Sequence, residues 1–338
     1  MDWFERLTGF REVAYADTRD KLKVEEGQLH SLVNGKSYGV GQLELVSLTS
    51  LRERVKAAEV PSGRLKVSVV RGNVRAMHQL SENAGALFQV ASQFNLLEMV
   101  SPAVTPEHGV TRYQHDPTQG PACAIAAGAA TIYRNYFVPV GDRLGQTKER
   151  QLNGLAQLGR SLGEALGQPI QTFWSMENGY AMCSRIGLDL ISKYLATLNH
   201  DKAEALMGML SIGVHIDVEV TDANDLVRPI VSQAFCSALP VAYGRADLST
   251  HWTSFAKLIL QAAYEATMWA AVLNAQRGAS RVVLLTRLGG GAFGNDDAWI
   301  QEAMLRALRK AKEYDLHVKL VSYGEPSQAA LSIVKEFA

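Results

Sequence analysis

The sequence from Arg281 to Asn295 reads RVVLLTRLGGGAFGN, and it decides how the rest of the chain is interpreted. Its first part, Val282–Leu285, is a β-branched and leucine run that predicts a buried strand. Glycines follow at positions 289, 290, 291 and 294, and an amphipathic helix pattern begins after them. A tight turn needs one or two glycines, whereas backbone that approaches an anion closely favours several. We therefore expect a phosphate-binding loop before a helix N-terminus, with a plain turn as the alternative.

The composition is that of an ordinary globular protein. The 338 residues are 47% hydrophobic, which is sufficient for one large α/β domain or two smaller ones. Lysine plus arginine and aspartate plus glutamate number 34 each, so we expect no general nucleic-acid binding and no attraction to an anionic membrane. No apolar run approaches the roughly 18 residues of a membrane span. The N-terminal decapeptide MDWFERLTGF has no signal-peptide core, which favours a cytoplasmic protein.

Cysteine and histidine spacing predicts no metal site. Cys123, Cys183 and Cys236 are distant from one another, and the eight histidines form no H-x-x-H or H-x-x-x-H pair. The sequence therefore predicts neither a metal nor a cofactor.

Polar side chains follow a predicted strand at Ala86–Val90. Gln93, Asn95 and Glu98 come directly after it. In open α/β sheets, ligands bind beyond the carboxyl ends of the strands. Asn95 and Glu98 are therefore candidate site residues, although Asn95 is also a common backbone cap.

A second polar stretch lies in the loop Thr105–Gly120. It contains Asp116, Gln119 and Gly120, and the small residues of Ala122–Ala130 follow it. Such a run allows close helix packing or close approach of backbone amides to a ligand. Arg134 then adds a cation among aromatic residues. Asp116 is a candidate catalytic acid, but aspartate before proline is also an ordinary turn former.

The remaining pattern predicts alternating strands and helices in one mixed-sheet domain. We expect residues 1–60 to form an accessory or cap segment and residues 61–338 to form the main domain. Leucine spacing predicts a helix over Thr147–Gly163, and a longer one over Phe255–Gln276.

The order of these parts resembles the macrodomain, an ADP-ribose-binding fold. Val67–Val74 resembles the first core strand of that family, and Ala86–Asn95 resembles the next, which ends in an asparagine beside the distal ribose. Gly120–Gly128 falls at the family's first glycine-rich, catalytic loop. Phe255–Gly278 and Val282–Asn295 resemble the helix, strand and diphosphate loop near the end of the fold.

The version GGGAFGN is most similar to poly(ADP-ribose) glycohydrolase-like macrodomains, and so is Gln233–Tyr243, QAFCSALPVAY. Two features depart from that pattern. Gln119-Gly120-Pro121 replaces the triple glycine of the first loop, and the adjacent paired glutamates are absent. These departures indicate a divergent branch and leave the catalytic acid unassigned by motif.

The resemblance implies a three-layer α/β/α fold with a mixed central sheet, and an ADP-ribosyl hydrolase activity without a cofactor. It assigns the diphosphate to Gly289, Gly290, Gly291, Ala292, Phe293, Gly294 and Asn295. Phe293 would stack on adenine or ribose, and Asn95 would bind the distal ribose. Asp116 is the first candidate for the catalytic carboxyl and Glu98 the second, with Gln119, Gly120 and Arg134 as substrate-positioning residues.

The partner implied is ADP-ribose or an ADP-ribosylated protein, with ubiquitin as one candidate, bound by a monomer. Two other functions remain open. One is a non-catalytic ADP-ribose-binding module with the same pocket. The other is a nicotinamide-cofactor enzyme, in which Glu325 would be the acid after the next strand; few residues follow it in this sequence, which disfavours that alternative.

Overall fold

The chain is organised around a long mixed sheet, and the computed structural model describes residues 1–223, 227–244 and 250–338. The strands are β1 (Leu22–Glu25), β2 (Gln28–Ser31), β3 (Ser37–Gly39), β4 (Gln42–Ser47), β5 (Lys66–Arg71), β6 (Leu87–Ala91), β7 (Pro139–Val140), β8 (Arg143–Leu144), β9 (Trp174–Glu177), β10 (Tyr180–Cys183), β11 (Ser211–Glu219), β12 (Ile230–Cys236), β13 (Val282–Leu285) and β14 (His317–Ser322). The helices are α1 (Trp3–Thr8), α2 (Tyr15–Arg19), α3 (Leu48–Ala57), α4 (Val74–His78), α5 (Gln119–Ala126), α6 (Gly128–Tyr136), α7 (Ala156–Leu166), α8 (Arg185–Thr197), α9 (His200–Gly208), α10 (Thr253–Gln276), α11 (Asp297–Lys310) and α12 (Gln328–Glu336).

The central sheet has the order β4-β11-β12-β6-β13-β14-β5. The strands from β12 to β5 are parallel to one another, whereas β11 runs antiparallel to both β12 and β4. The carboxyl ends of β12, β6, β13, β14 and β5 therefore meet along one edge of the sheet. In parallel sheets this edge is where ligands bind.

Helices cover both faces of the sheet. Leu87 and Val283 pack with α3, α10 and α11 on one face, and the neighbouring residues Phe88 and Leu284 pack with α4, α5 and α6 on the other. This alternation follows from the two-residue period of a strand. The predicted three-layer fold with a mixed sheet is confirmed.

Helix α10 lies inside the helical layer and is buried on most sides. It carries one buried carboxylate, Glu265, which binds cations from two neighbouring helices. Arg52 on α3 donates to it at 2.7 Å and Arg306 on α11 at 2.5 Å. The same two arginines also bind Glu204 on α9. This ionic cluster, consisting of Arg52, Glu204, Glu265, Arg306 and Lys310, connects four helices.

The N-terminal segment is only partly an accessory layer. Strands β1 to β3 form a separate antiparallel sheet, but β4 pairs with β11 in the central sheet. Helix α3 packs against α10. Residues 42–57 therefore pack with the central sheet and its helices.

The accessory layer contacts the loop that carries Asp116. The carboxylate of Glu12 accepts the N–H groups of Val110 and Thr111 at 2.9 and 2.7 Å, and the hydroxyl of Tyr136 at 2.7 Å. These bonds fix the start of the short 3₁₀ helix Thr111–His115.

One local prediction was wrong. The helix expected over Thr147–Gly163 begins only at Ala156, because the backbone of Gly154 bonds to Phe94 and Ser211 instead. The sequence left two roles open for the small-residue stretch, close helix packing and close approach to a ligand. In the structure the stretch forms α5 and α6, which are separated by a break at Ala127. Its small side chains serve close packing, since a Cβ at Gly128 would lie 2.8 Å from the Trp3 ring.

In the described parts of the chain, no helix combines the length and apolarity required to cross a membrane.

Candidate active site

A cavity of about 150 Å³ lies at the carboxyl edge of the central sheet, and we refer to it as the site cavity. Residues that follow β6, β12 and β13 line it, together with the first turn of α5. The predicted site residues that line it are Glu98, Asp116, Gln119, Gly120, Gly289, Gly291, Ala292 and Phe293. Those that lie outside its lining are Asn95, Arg134, Gly290, Gly294 and Asn295. The structure thus places the glycine loop and both candidate carboxyl groups around one space.

Two glycines of the loop are required by backbone conformation. Gly289 and Gly294 have φ angles of 75° and 67°, a left-handed region that strongly favours glycine. A Cβ at these positions would also overlap Ala238 or Ala242. The sequence therefore needs glycine here for the path of the loop, whatever the ligand.

The N–H groups of the loop divide into two sets. Those of Gly290 and Gly294 are used within the loop, because they donate to the carbonyls of Arg287 and Gly291 at 3.1 and 3.0 Å. A second set finds no acceptor among the described residues; its members are Gly289, Gly291, Ala292 and Phe293. These four residues are also the ones that line the site cavity. Backbone N–H groups without an acceptor beside a cavity are the kind of donor that anion-binding loops use.

The helix end after the loop contributes less than the sequence predicted. Asp296 is the N-cap of α11, and its carboxylate accepts the N–H of Ala298 at 2.7 Å. Asp297 in the first turn forms an ion pair with Arg287. Two carboxylates therefore already occupy the positive end of this helix.

Asn295 closes the loop rather than facing the cavity. Its backbone N–H donates to the carbonyl of Gly289 at 2.9 Å, and its side-chain Nδ2 donates to the carbonyl of Leu239 at 2.8 Å. The side chain is buried by this arrangement. Asn295 therefore supports the path of the loop and lies outside the cavity lining.

Glu98 is a buried carboxyl at the wall of the site cavity. Its side chain is 1% exposed and lies beside the fully buried guanidinium of Arg134 on α6. Nη2 of Arg134 is 3.4 and 3.5 Å from the two carboxyl oxygens. Burial raises the pKa of Glu98 to about 7, and Arg134 opposes this rise. A carboxyl with such a pKa is able to give or take a proton near neutral pH.

Asp116 occupies a different environment. It is half-buried, lines the site cavity and follows the 3₁₀ helix Thr111–His115. Its carboxylate accepts the N–H of Thr118 at 2.9 Å, as expected for an aspartate turn. Within the same loop, the hydroxyl of Tyr113 accepts the backbone N–H of Glu98 at 3.0 Å. This bond connects the segments that carry the two carboxyl groups.

Gln119 and Gly120 serve the architecture of the site. The side-chain amide of Gln119 accepts from the N–H of Ala91 at 2.9 Å and donates to the carbonyl of Gln89 at 2.8 Å, so it continues the hydrogen bonding of β6. Gly120 fits under Glu98, because a Cβ there would lie 3.2 Å from its Cγ and would overlap the carbonyl of Ala91. Both residues line the cavity, and both hold α5 against the end of β6.

Asn95 lies behind the cavity. It is fully buried, its Nδ2 donates to Gln151 at 2.8 Å, and its Oδ1 accepts the N–H of Leu97 at 3.1 Å. Its amide stabilises the turn that leads to Glu98, and the expected contact with a ribose stays a prediction. Arg134 likewise lies behind Glu98 and not in the cavity lining.

Aromatic residues that the sequence analysis did not select complete the cavity wall. Tyr180 and Tyr243 lie 5.3 and 5.9 Å from Phe293, measured between ring centroids. The hydroxyl of Tyr180 donates to the carbonyl of Met99 at 2.6 Å, which attaches the β9–β10 hairpin to the segment after β6. No local motif marks Tyr180, since a short hairpin far along the chain brings it to the site.

Among the described residues, no group of three or more His, Cys, Asp and Glu side chains is arranged to hold a metal ion.

No protein-family model and no curated protein matches the sequence. Solved structures do match it. The poly(ADP-ribose) glycohydrolase of Deinococcus radiodurans in complex with ADP-ribose is 12% identical, with 97% of each chain covered and a TM-score of 0.46. The poly(ADP-ribose) glycohydrolase of Thermomonospora curvata is 14% identical, with 96% of this chain and 97% of that chain covered and a TM-score of 0.46. This chain is similar in structure, over nearly its whole length, to solved poly(ADP-ribose) glycohydrolases.

Proposed function

We propose that this protein is a hydrolase that releases ADP-ribose from a group attached to C1 of the distal ribose. One observation carries the proposal: unpaired loop N–H groups and two carboxyl groups line a single cavity. The first feature suits a diphosphate, and the second suits acid–base cleavage of a glycosidic bond.

The diphosphate would bind to the loop N–H groups of Gly289, Gly291, Ala292 and Phe293. The space beside Gly291 is open, because a Cβ built there would meet no atom within 4 Å. The backbone N–H groups would therefore donate to a diphosphate without steric hindrance. Phe293 and its neighbours Tyr180 and Tyr243 offer an apolar surface to a sugar or base. Donors of this kind do not require a metal to hold the anion.

An extended ligand also has room beside the site cavity. A neighbouring cavity of about 450 Å³ shares Asp116, Gln119 and Thr286 with it and continues along the carboxyl ends of β14 and β5. A molecule with its diphosphate on the loop would extend into both spaces. ADP-ribose has this form, with a nucleoside at one end and a ribose at the other.

The two carboxyl groups have different roles in the proposed reaction. Glu98, protonated, gives its proton to the leaving atom as the bond from that atom to C1 breaks. Positive charge then develops at C1. Asp116, ionised, takes a proton from a water whose oxygen bonds to C1. The products are ADP-ribose with a C1 hydroxyl and the released group carrying the proton of Glu98.

This division revises the order of candidates that the sequence favoured. Asp116 was the first candidate for the catalytic carboxyl, but the buried Glu98 is better suited to act as an acid because burial favours its neutral form. The half-exposed carboxylate of Asp116 is better suited to receive a proton. The substrate is an ADP-ribosylated protein, for which ubiquitin is one candidate, or a chain of ADP-ribose.

The proposal is tested with the full-length protein in two assays. Calorimetric titration should show binding of ADP-ribose, with NAD⁺ as the comparison ligand. A panel of substrates linked through arginine, through an acidic side chain or through a second ADP-ribose should show release of ADP-ribose from at least one. Binding without release from any of them would identify a non-catalytic reader, and preference for NAD⁺ would favour a nicotinamide enzyme.

A further inference from the structure

The guanidinium of Arg134 is held in place by groups other than Glu98. Its Nε donates to the carbonyl of Leu96 at 3.1 Å, and its Nη2 donates to the hydroxyl of Thr131 at 3.1 Å. The ring of Phe235 lies under its plane, with the guanidinium carbon 3.9 Å from the ring centroid. Arg134 therefore keeps its position whether or not Glu98 is charged.

The contact between Arg134 and Glu98 is longer than a strong ion pair. Charge-assisted N–H···O bonds are typically about 2.7–2.9 Å long, whereas Nη2 lies 3.4 and 3.5 Å from the Glu98 oxygens. A short bidentate bond would keep the carboxylate ionised. At the longer distance, Arg134 attracts the Glu98 carboxylate but does not prevent its protonation.

Arg134 is also the cation closest to Glu98 in the described structure. The other titratable groups around Glu98 are the hydroxyl of Tyr113 in the 3₁₀ helix and the thiol of Cys123 on α5. Asp116, Tyr180 and Arg287 line the same cavity as Glu98, and Arg287 is paired with Asp297 on α11. None of the other four groups supplies a positive charge.

We infer that Arg134 is a positioning residue that sets how readily Glu98 gives up its proton and stabilises the carboxylate that remains. The inference rests on the proposed role of Glu98 as the general acid. Arg134 lies outside the cavity lining and acts through Glu98 rather than on the substrate. Its effect should therefore be seen in the pH dependence of turnover rather than in ligand affinity.

The test is the pH profile of kcat for Arg134→Gln, which removes the charge but keeps a donor for the Leu96 carbonyl. Loss of the nearby cation raises the pKa of a carboxyl, typically by about one to three units. The high-pH limb of the profile should move upward by about that amount, while the affinity for ADP-ribose stays within about twofold of the wild-type value. Arg134→Lys, which retains the charge, should keep the limb near its original position.

Thr131→Val provides a second test that leaves the charge in place. Without the hydroxyl, Nη2 of Arg134 is free to bond Glu98 more closely, so the limb should move to lower pH. Opposite shifts in Arg134→Gln and Thr131→Val would support the inference. Should Arg134→Gln fail to fold, the downward shift in Thr131→Val decides, and an unmoved limb there would overturn the inference.

Failure of this inference is distinguishable from failure of the proposed function. If Glu98→Gln is inactive but a folded Arg134→Gln keeps the wild-type pH limb, Arg134 has only a packing role. If Glu98→Gln retains full turnover, the assignment of the acid itself is wrong.

Discussion

Glu98 and Asp116 lie in the wall of the same cavity but in opposite surroundings. The Glu98 carboxyl is buried beside a guanidinium, whereas the Asp116 carboxylate is half-exposed and accepts one backbone N–H. Such a difference is how one site maintains a proton donor beside a proton acceptor.

Glu98→Gln should reduce turnover by about 10²- to 10⁴-fold, which is the usual contribution of a general acid. An amide cannot donate a proton as a carboxylic acid does. In the wild-type protein the active form of Glu98 is protonated, and its pKa is raised to about 7. On the alkaline side of the profile, activity should therefore fall as the pH rises through this value. The matched control is Glu164→Gln, an exposed position on α7; equal losses in the two variants would argue against a specific role.

Asp116→Asn should also reduce turnover, by about 10²- to 10⁴-fold, because the amide does not accept the proton of the attacking water. The turn should survive, since the asparagine oxygen still accepts the N–H of Thr118. Calorimetry should show ADP-ribose bound with little change. Normal turnover in Asp116→Asn would exclude it as the base and leave Glu98 as the sole catalytic carboxyl.

Gly291→Val should weaken ADP-ribose binding at least tenfold while the protein remains folded. A Cβ at this position meets no atom within 4 Å, so the free protein tolerates it. The added methyl groups would occupy space beside the free loop N–H groups. Titration of Gly291→Ala and Gly291→Val, each with its melting temperature, checks this. Undiminished affinity in a folded Gly291→Val would mean that the loop does not hold the ligand.

Glu265→Gln should destabilise the protein by about 3–5 kcal/mol, the usual cost of breaking a buried ion pair. Without the Glu265 carboxylate, three neighbouring cations would lose an anionic partner that they share; they are Arg52, Arg306 and Lys310. The control is Glu302→Gln, whose ion pair with Lys257 is exposed, and which should cost roughly 0–1 kcal/mol. Urea unfolding of both variants measures the difference.

The contribution of Glu265 to the free energy of unfolding should decrease at low pH. Burial alone would raise the pKa of Glu265, but hydrogen bonds from Arg52, Trp269 and Arg306 outweigh it and lower the pKa from 4.5 to about 2. The stabilisation by the Glu265 carboxylate is therefore complete above about pH 4.5 and is lost as the pH falls towards 2. The stability difference between wild type and Glu265→Gln should narrow over that interval.

The strand and loop at the centre of the site were predictable because their signals are local. Val282–Leu285 is β13 with the predicted bounds, and the positive φ angles of Gly289 and Gly294 explain why glycines occur there. The carboxyl-edge rule also brought Glu98 to the correct side of the sheet.

The residues that support the wall of the site cavity were not predictable, because their roles depend on contacts between distant segments of the chain. Asn95 follows a strand in the way a ligand-binding residue does, yet Gln151, more than fifty positions later, binds its amide. Tyr180 reaches the cavity through a hairpin that no motif marks. Gln119 resembles a ligand-binding residue in the sequence, but its side-chain amide bonds to the backbone at the end of β6.

The most direct test of the central claim is a crystal structure of the full chain with ADP-ribose. We predict the diphosphate within hydrogen-bond distance of the N–H groups of Gly291 to Phe293. We also predict C1 of the distal ribose between the carboxyl groups of Glu98 and Asp116, each within reach directly or through one water. A bound ADP-ribose whose C1 lies away from both carboxyl groups, or whose diphosphate does not touch the loop, would contradict the account.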